Sequence, residues 1–213
     1  MTEQDDRSNI CVIMQKQSKT ASNKLRLLEE GIERFSAHGF HGIGLKDILG
    51  AVNIPKGSFY HYFESKEDFG AKVVDYYTEI TQQHLAEAFA DATVPGRVAL
   101  LRFFDSAIEM HLKEGDKRGC LAGNLGAEIS DTSEVCRKAV ARSMNATRDA
   151  FEAVLRRGQE DGSIRQDIEA KVLADLLLDG FEGALLRMKI EKTGAPLEQF
   201  RDVMLNKFLV AGR

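Results

Sequence analysis

Between residues 44 and 66 the chain reads GLKDILGAVNIPKGSFYHYFESK, and this block concentrates the side chains best suited to meet a polyanion. Lys46, Lys56, Ser58, Tyr60, His61 and Lys66 carry hydrogen-bond donors of the kind that phosphate oxygens and base edges accept. Gly57 leaves the main chain open to close approach, and the amides of a helix start at Lys56-Gly57-Ser58 favour an anion. The apolar residues Leu45, Ile48, Leu49, Val52, Ile54 and Phe59 interleave with these donors at helical spacing. Two short helices joined by a tight turn at Asn53-Ile54-Pro55 put the apolar set inside and the donors outside. That is the geometry of a helix-turn-helix, whose second helix enters a DNA major groove. The competing reading of GSFYHYF is an aromatic core helix; its place behind Lys56-Gly57 and ahead of Ser65-Lys66 argues for nucleic acid.

A second centre of chemistry is Cys120, which opens a predicted helix. The macrodipole there favours a thiolate, and Lys113, Lys117 and Arg118 add positive charge, partly cancelled by Glu114 and Asp116. Two readings stay open: a reactive sensor thiol, or a small apolar residue buried at a helix junction. Cys11 and Cys136 lack both features. Three widely spaced cysteines, without a C-x-x-C pair, exclude a disulfide framework and a zinc site. His38, His41, His61, His84 and His111 are scattered with no metal-ligand spacing, and no enzyme motif is present. No metal or cofactor is expected.

The elements that must position these groups read as helical throughout. Helices are predicted over about 21–37, closed by Gly39, then 45–52 and 56–63, with Pro55 in the first turn of the last. Ser65 with Asp68 caps a long segment over 66–91, and Pro95 opens another to about 112. Further helices are predicted at 120–129, from the Ser133 cap to 160, at 168–191 and at 197–210. Near the end, Gly180 and Ala184 join Leu177, Phe181, Phe200 and Met204 in an apolar, small-residue stripe. The stripe predicts a homodimer face, with ordinary intramolecular packing as the alternative.

With 43% hydrophobic residues in 213, the chain can bury a real core, which excludes a disordered or fibrous protein. Its apolar runs fall far short of the roughly 20 residues a membrane span needs. The acidic N-terminus lacks an export leader, so a cytoplasmic location is expected. Residues 9–61 hold seven Lys and Arg against four acids, although the whole chain carries a net charge of −4. A basic front on an acidic body is what a protein presents when one end meets a polyanion.

The run Asp47-Ile48, Ile54, Lys56 to Phe63 and Ser65-Lys66-Glu67 closely resembles the signature of TetR/AcrR-type transcriptional repressors, over about residues 20–70. The resemblance implies an all-α fold of about nine helices. It divides into a mobile arm at 1–19, a three-helix DNA-binding domain at 20–65 and a ligand-binding and dimerisation domain at 66–213. It implies that Lys46 reaches a base while Ser58, Tyr60, His61 and Lys66 hold phosphates or bases, in a homodimer on an inverted-repeat duplex operator. Gly44, Leu49, Asn53 and Pro55 depart from the family pattern, at the cap of the second helix and at the turn. Gly119-Cys120-Leu121 followed by Ala127-Glu128-Ile129-Ser130-Asp131 resembles the branch that includes the repressor of N-ethylmaleimide reductase. That branch is associated with reactive electrophiles, and the likeness places an amine, Lys189, near the thiol; a solvated charge at a helix end is the other reading of this lysine. Beside a repressor gated by a small effector or by modification of Cys120 stand three other readings. These are gating by a reversible apolar ligand, a helical thiol enzyme drawing on His111 as base, and a protein-binding adaptor.

Overall fold

Punctuation residues set most helix limits in the computed structural model, which describes residues 22–113 and 119–211. The arm expected at 1–19 lies outside them, as do Cys11, Glu114, Asp116, Lys117 and Arg118. Helix α1 (22–38) stops where Gly39 takes φ +74 and returns its N–H to Phe35 O at 2.9 Å. Helix α2 (Leu45–Val52) begins at Gly44 without a side-chain cap and ends at Asn53, whose left-handed backbone lets the amides of Asn53 and Ile54 reach the carbonyls of Gly50 and Leu49. Arg26 of α1 donates from Nη2 to Val52 O at 2.8 Å, a cation where the dipole of α2 favours one.

Helix α3 is a single turn, Lys56–Phe59, where the sequence predicts a helix to Phe63. Phe59 and Phe63 are both fully buried and both stack on Phe69, at 5.5 and 4.8 Å between ring centroids. The chain meets that demand with bends, Tyr62 N–H donating to Phe59 O at 2.8 Å. Pro55 stands one residue outside α3, as its N-cap, and not in its first turn.

The body follows as α4 (Lys66–Phe89), α5 (Gly96–Lys113), α6 (Leu121–Ile129), α7 (Glu134–Glu160), α8 (Ala170–Glu191) and α9 (Ala195–Val203). Ser65 Oγ accepts the Asp68 N–H at 3.0 Å while the Asp68 carboxylate accepts the Glu64 N–H at 3.0 Å, fixing the start of α4. The expected helix at 197–210 is split, with a π-turn at Met204–Phe208. There Arg97 takes Leu205 O at 2.8 Å and Arg165 takes Phe208 O at 3.2 Å, drawing carbonyls out of the α ladder.

Three buried clusters hold the described residues together, the third a small one of Ile108, Ala184, Leu185, Met188 and Leu197 beside the second. The first gathers Leu27, Phe35, Ile48, Phe59 and Phe63 from the front of the chain with Phe69 and Val73 of α4, Leu121 and Leu125 of α6 and Cys136 of α7. It runs straight through the boundary expected at residue 65. The second joins Leu85 of α4 to Leu100, Phe104, Phe151, Leu173 and Leu177. Helix α4 is therefore anchored at both ends, in different cores.

The predicted dimer face is corrected by this second core and its neighbour. Leu177 is fully buried and Ala184 is buried, while the rings of Phe181 and Phe200 lie 5.0 and 5.5 Å from that of Phe104. A Cβ on Gly180 would stand 2.7 Å from Phe200, so its smallness serves packing between α8 and α9 of the same chain. Met204 packs on the same cluster. The apolar stripe that α8 turns outward is Val172, Leu176, Leu186 and Ile190, the last 70% exposed, with Gly183 open between them.

Candidate nucleic-acid interface and regulatory cavities

The outward residues of α2, the turn and α3 form one surface. A groove of about 470 Å³ carries Lys46 and Lys56 on its lining, with Leu49, Asn53 and Pro55 between them. Beside it Tyr60, 52% exposed, stands edge-on to Phe59, and His61 is exposed. Gly57 is exposed, with nothing within 4 Å of where a Cβ would sit. Ser58 is half-buried, and its N–H is already given to Pro55 O at 2.9 Å. With only one turn in α3 and that amide spent, the expected anion site at its N-terminus is weak, and side chains must carry the attraction.

Lys66 is corrected. Its Nζ donates to Phe40 O and to Ile43 O, each at 2.6 Å, and lies 4.5 Å from the centre of the Phe40 ring. Burial lowers its pKa. This ammonium is a strut across the 40–43 turn, where the sequence reading made it a phosphate ligand.

Helices α4, α5, α7 and α8, with Ile32 of α1 and Cys120 and Ala122 at the start of α6, line a cavity of about 780 Å³, a volume that suits a small organic molecule. Ile80, Leu85, Phe103, Met110, Phe151 and Phe181 make its apolar wall, and Tyr77, Thr81, Arg102, His111 and Ser143 supply polar groups. A second cavity of about 360 Å³ lies nearer the front of the molecule, lined by Phe35, Gly39, Gly119, Asn124, Glu128 and Lys189 among others. Cys120, Glu182 and Leu185 line both, so they form the partition.

Cys120 caps α6, its Sγ accepting the Gly123 N–H at 3.4 Å and lying 3.9 Å from Tyr77 Oη. Of the two readings left open for this residue, the surroundings favour a thiol buried at a helix junction. Burial, and then the Glu182 carboxylate, push the Cys120 thiol up to about 12. The residue keeps partial accessibility because it faces a cavity, yet the protein packed around Sγ withholds the solvation a thiolate needs. Lys117 and Arg118, expected to lower it, lie outside the described residues. Burial raises Glu182 as well, and Cys120 together with burial holds the Tyr77 hydroxyl well above its usual value. His111 lines the larger cavity, but a thiol held near 12 is the reverse of an activated nucleophile. Lys189 lines the smaller cavity with Cys120 and donates to Asn124 Oδ1 at 3.2 Å. Among the described residues no group of three His, Cys, Asp or Glu could hold a metal ion, and no helix is long and apolar enough to cross a membrane.

Residues 27–71 match the family model described as bacterial regulatory proteins of the tetR family, and residues 96–204 match that of the tetracyclin repressor-like C-terminal domain. The chain belongs to the TetR family. It is 39% identical to the HTH-type transcriptional repressor DhaR of Mycobacterium sp. strain GP1 over 86% of this chain and 90% of that protein. It is 31% identical to the HTH-type transcriptional repressor NemR of Escherichia coli K12, over 81% and 86% respectively. The crystal structure of reduced E. coli NemR superposes with a TM-score of 0.82 at 30% identity, covering 90% of this chain and 98% of that one. The relatives named here are transcriptional repressors, not enzymes.

Three functional groups escaped the sequence reading. Arg26 meets α2 only through the tertiary fold. Tyr77 and Glu182 face Cys120 from 43 and 62 positions away. Glu182 did leave a signal, since it stands on the same face of α8 as the buried Leu178 and Leu185, where a carboxylate has no reason to be unless it serves the interior.

Proposed function

We propose that this protein is a DNA-binding transcriptional repressor, a homodimer that holds an inverted-repeat operator and lets go when a small, mainly apolar effector enters the body. In this reading residues 20–65 are the DNA-binding domain and 66–213 the ligand-binding and dimerisation domain. Lys46 reads a base, while Lys56, Gly57, Ser58, Tyr60 and His61 meet phosphates or bases. TetR-family regulators bind operators and act as dimers, and here the outward stripe of α8 supplies the dimer face. The two reading helices of such a dimer must sit about 34–36 Å apart. The observation that carries the gating is the shared wall: Cys120, Glu182 and Leu185 stand between the larger cavity, which Ile32 of α1 also lines, and a smaller one that reaches Phe35 and Gly39 of the DNA-binding segment. An occupant favouring a displaced wall needs only a few kcal/mol of preference to change the spacing of the reading helices.

A second reading is favoured by one feature, the presence of Cys120 and Lys189 in the same small cavity. Covalent modification of Cys120 by an electrophile or oxidant would then release DNA, with the Lys189 ammonium on the wall of the same cavity. Binding to a duplex pool, titrated with salt, tests the first half: specific binding should weaken steeply as salt rises. Cys120→Ser separates the gating readings. A reversible ligand still releases the variant, whereas an oxidant that acts through the thiol does not.

A further inference from the structure

The turn between α1 and α2 has little of its own to hold it. After the left-handed Gly39 the chain crosses four residues to Gly44, which caps α2 with no side chain, two positions before Lys46. The anchoring comes from far along the sequence. Glu128, in the last turn of α6, accepts the Phe40 N–H on Oε2 at 2.7 Å and the His41 N–H on Oε1 at 2.6 Å. Both oxygens of one carboxylate are thus spent on consecutive main-chain amides 88 and 87 residues away. Gly39 is fixed for this purpose too, since a Cβ there would stand 2.6 Å from Glu128 Oε2. On the carbonyl side, Lys66 holds Phe40 O and Ile43 O. The turn is clamped between opposite charges, one from the body and one from the start of α4.

Helix α6 makes the carboxylate end of this clamp more than a local tie. Its N-cap is Cys120, on the partition between the two cavities, and Glu128 lies eight residues on, about 12 Å along a helix. Leu121, Ala122, Leu125 and Ile129 are all buried, so the helix moves as a rod if it moves at all. We propose that Glu128 is a positioning residue for DNA recognition: its carboxylate sets the pose of α2 through the amides of Phe40 and His41 and carries displacements of α6 to the reading surface. The first half requires only that the chain bind DNA; the second rests on the effector reading above.

The test uses the full chain, wild type, Glu128→Ala and Glu128→Gln, with duplexes that the wild type selects from a random pool. Amide exchange comes first. In Glu128→Ala the Phe40 and His41 amides should exchange at least about tenfold faster while amides of α7 and α8 keep their protection; Glu128→Gln, retaining one acceptor oxygen, should be intermediate. Unchanged exchange at residues 40 and 41 overturns the proposal. Affinity then gives an opposed sign. Removing a negative charge from a DNA-facing protein should tighten binding if electrostatics alone acts, whereas loss of positioning should weaken it by about tenfold or more with the salt slope unaltered. Equal or tighter binding by Glu128→Ala overturns the proposal. For the transmission step, duplex binding should add protection to α6 amides in the wild type and not in Glu128→Ala; equal protection in both refutes it. If the wild type selects no duplex, the DNA-binding reading fails by itself, and the exchange comparison still decides the role of Glu128 in holding the turn.

Discussion

The Cys120 environment makes a quantitative forecast about its chemistry. At pH 8 a thiol held at about 12 is ionised in about one molecule in 10,000, against about one in four for a cysteine near 8.5. The more basic thiolate is intrinsically more nucleophilic, by about 40-fold over that interval for a Brønsted slope of 0.4–0.5. Attack on a small neutral disulfide such as dithiodipyridine should therefore run about 60-fold slower than for a free cysteine, before any penalty of access. The rate should still be climbing tenfold per pH unit at pH 10. Glu182→Gln removes the carboxylate that helps to raise the thiol, so it should speed the reaction several-fold at pH 8 without changing the slope. Peptide mass spectrometry on the intact chain, quenched at intervals from pH 7 to 10, follows Cys120 separately from the other thiols. A rate within about fivefold of a free cysteine, a plateau below pH 9 or a slower Glu182→Gln would refute this account of the site.

Stability carries the same signature. A thiol raised by folding contributes stability below about pH 9 and loses it as pH climbs toward 12, so between pH 9 and 10.5 the wild type should lose about 1.5 kcal/mol more than Cys120→Ser in denaturant titrations. Equal losses would mean that the thiol is not raised. Lys46→Ala should cost about 1–3 kcal/mol in operator affinity and relax sequence preference, whereas Tyr60→Phe should weaken all duplexes alike; binding assays against mutated sites tell them apart. Lys66→Met should lower operator affinity and melting temperature with a change in the salt slope well below one, because two of its three N–H donors hold carbonyls; a slope flatter by about one would return it to the phosphate contacts. Ile190→Glu should yield a folded monomer in ultracentrifugation, while Leu177→Glu should fail to fold, since only the first faces out.

The ends of α1 and α2 were legible because Gly39 and Asn53 punctuate the chain in ways that follow from their own backbone freedom. The end of α3 was not, because two rings, Phe59 and Phe63, answer to Phe69 beyond the motif. Periodicity found the apolar residues of α8 but could not rank them. The run Leu176-Leu177-Leu178 is apolar on several faces, and only the other helices decide that Leu177 and Leu178 go in while Leu176 stays out. The donor-rich block at 44–66 was readable as a nucleic-acid surface from residue type and spacing. The role of Lys66 was not, for its acceptors are carbonyls, which every residue owns and no sequence displays. Cys120 stayed open between two readings for a related reason: the basic residues in view were its chain neighbours, while the burial that chiefly raises the thiol, and the α8 carboxylate that adds to it, come from the tertiary fold.

The first core has a bearing on how such regulators can be recombined. A cut after Ser65, where the sequence invites one, would strip Phe59 and Phe63 of Phe69 and remove the leucines of α6 from the same core. A grafted reading head taken at that seam would arrive with half its interior missing. Grafts that bring along the first three turns of α4, together with α6 and the opening of α7, carry the buried residues of that core with them, and also carry Glu128. In the reading proposed above, new operator preference without new effector response calls for changes at the exposed positions 46, 56, 57, 60 and 61 on the resident frame, with the seam left untouched.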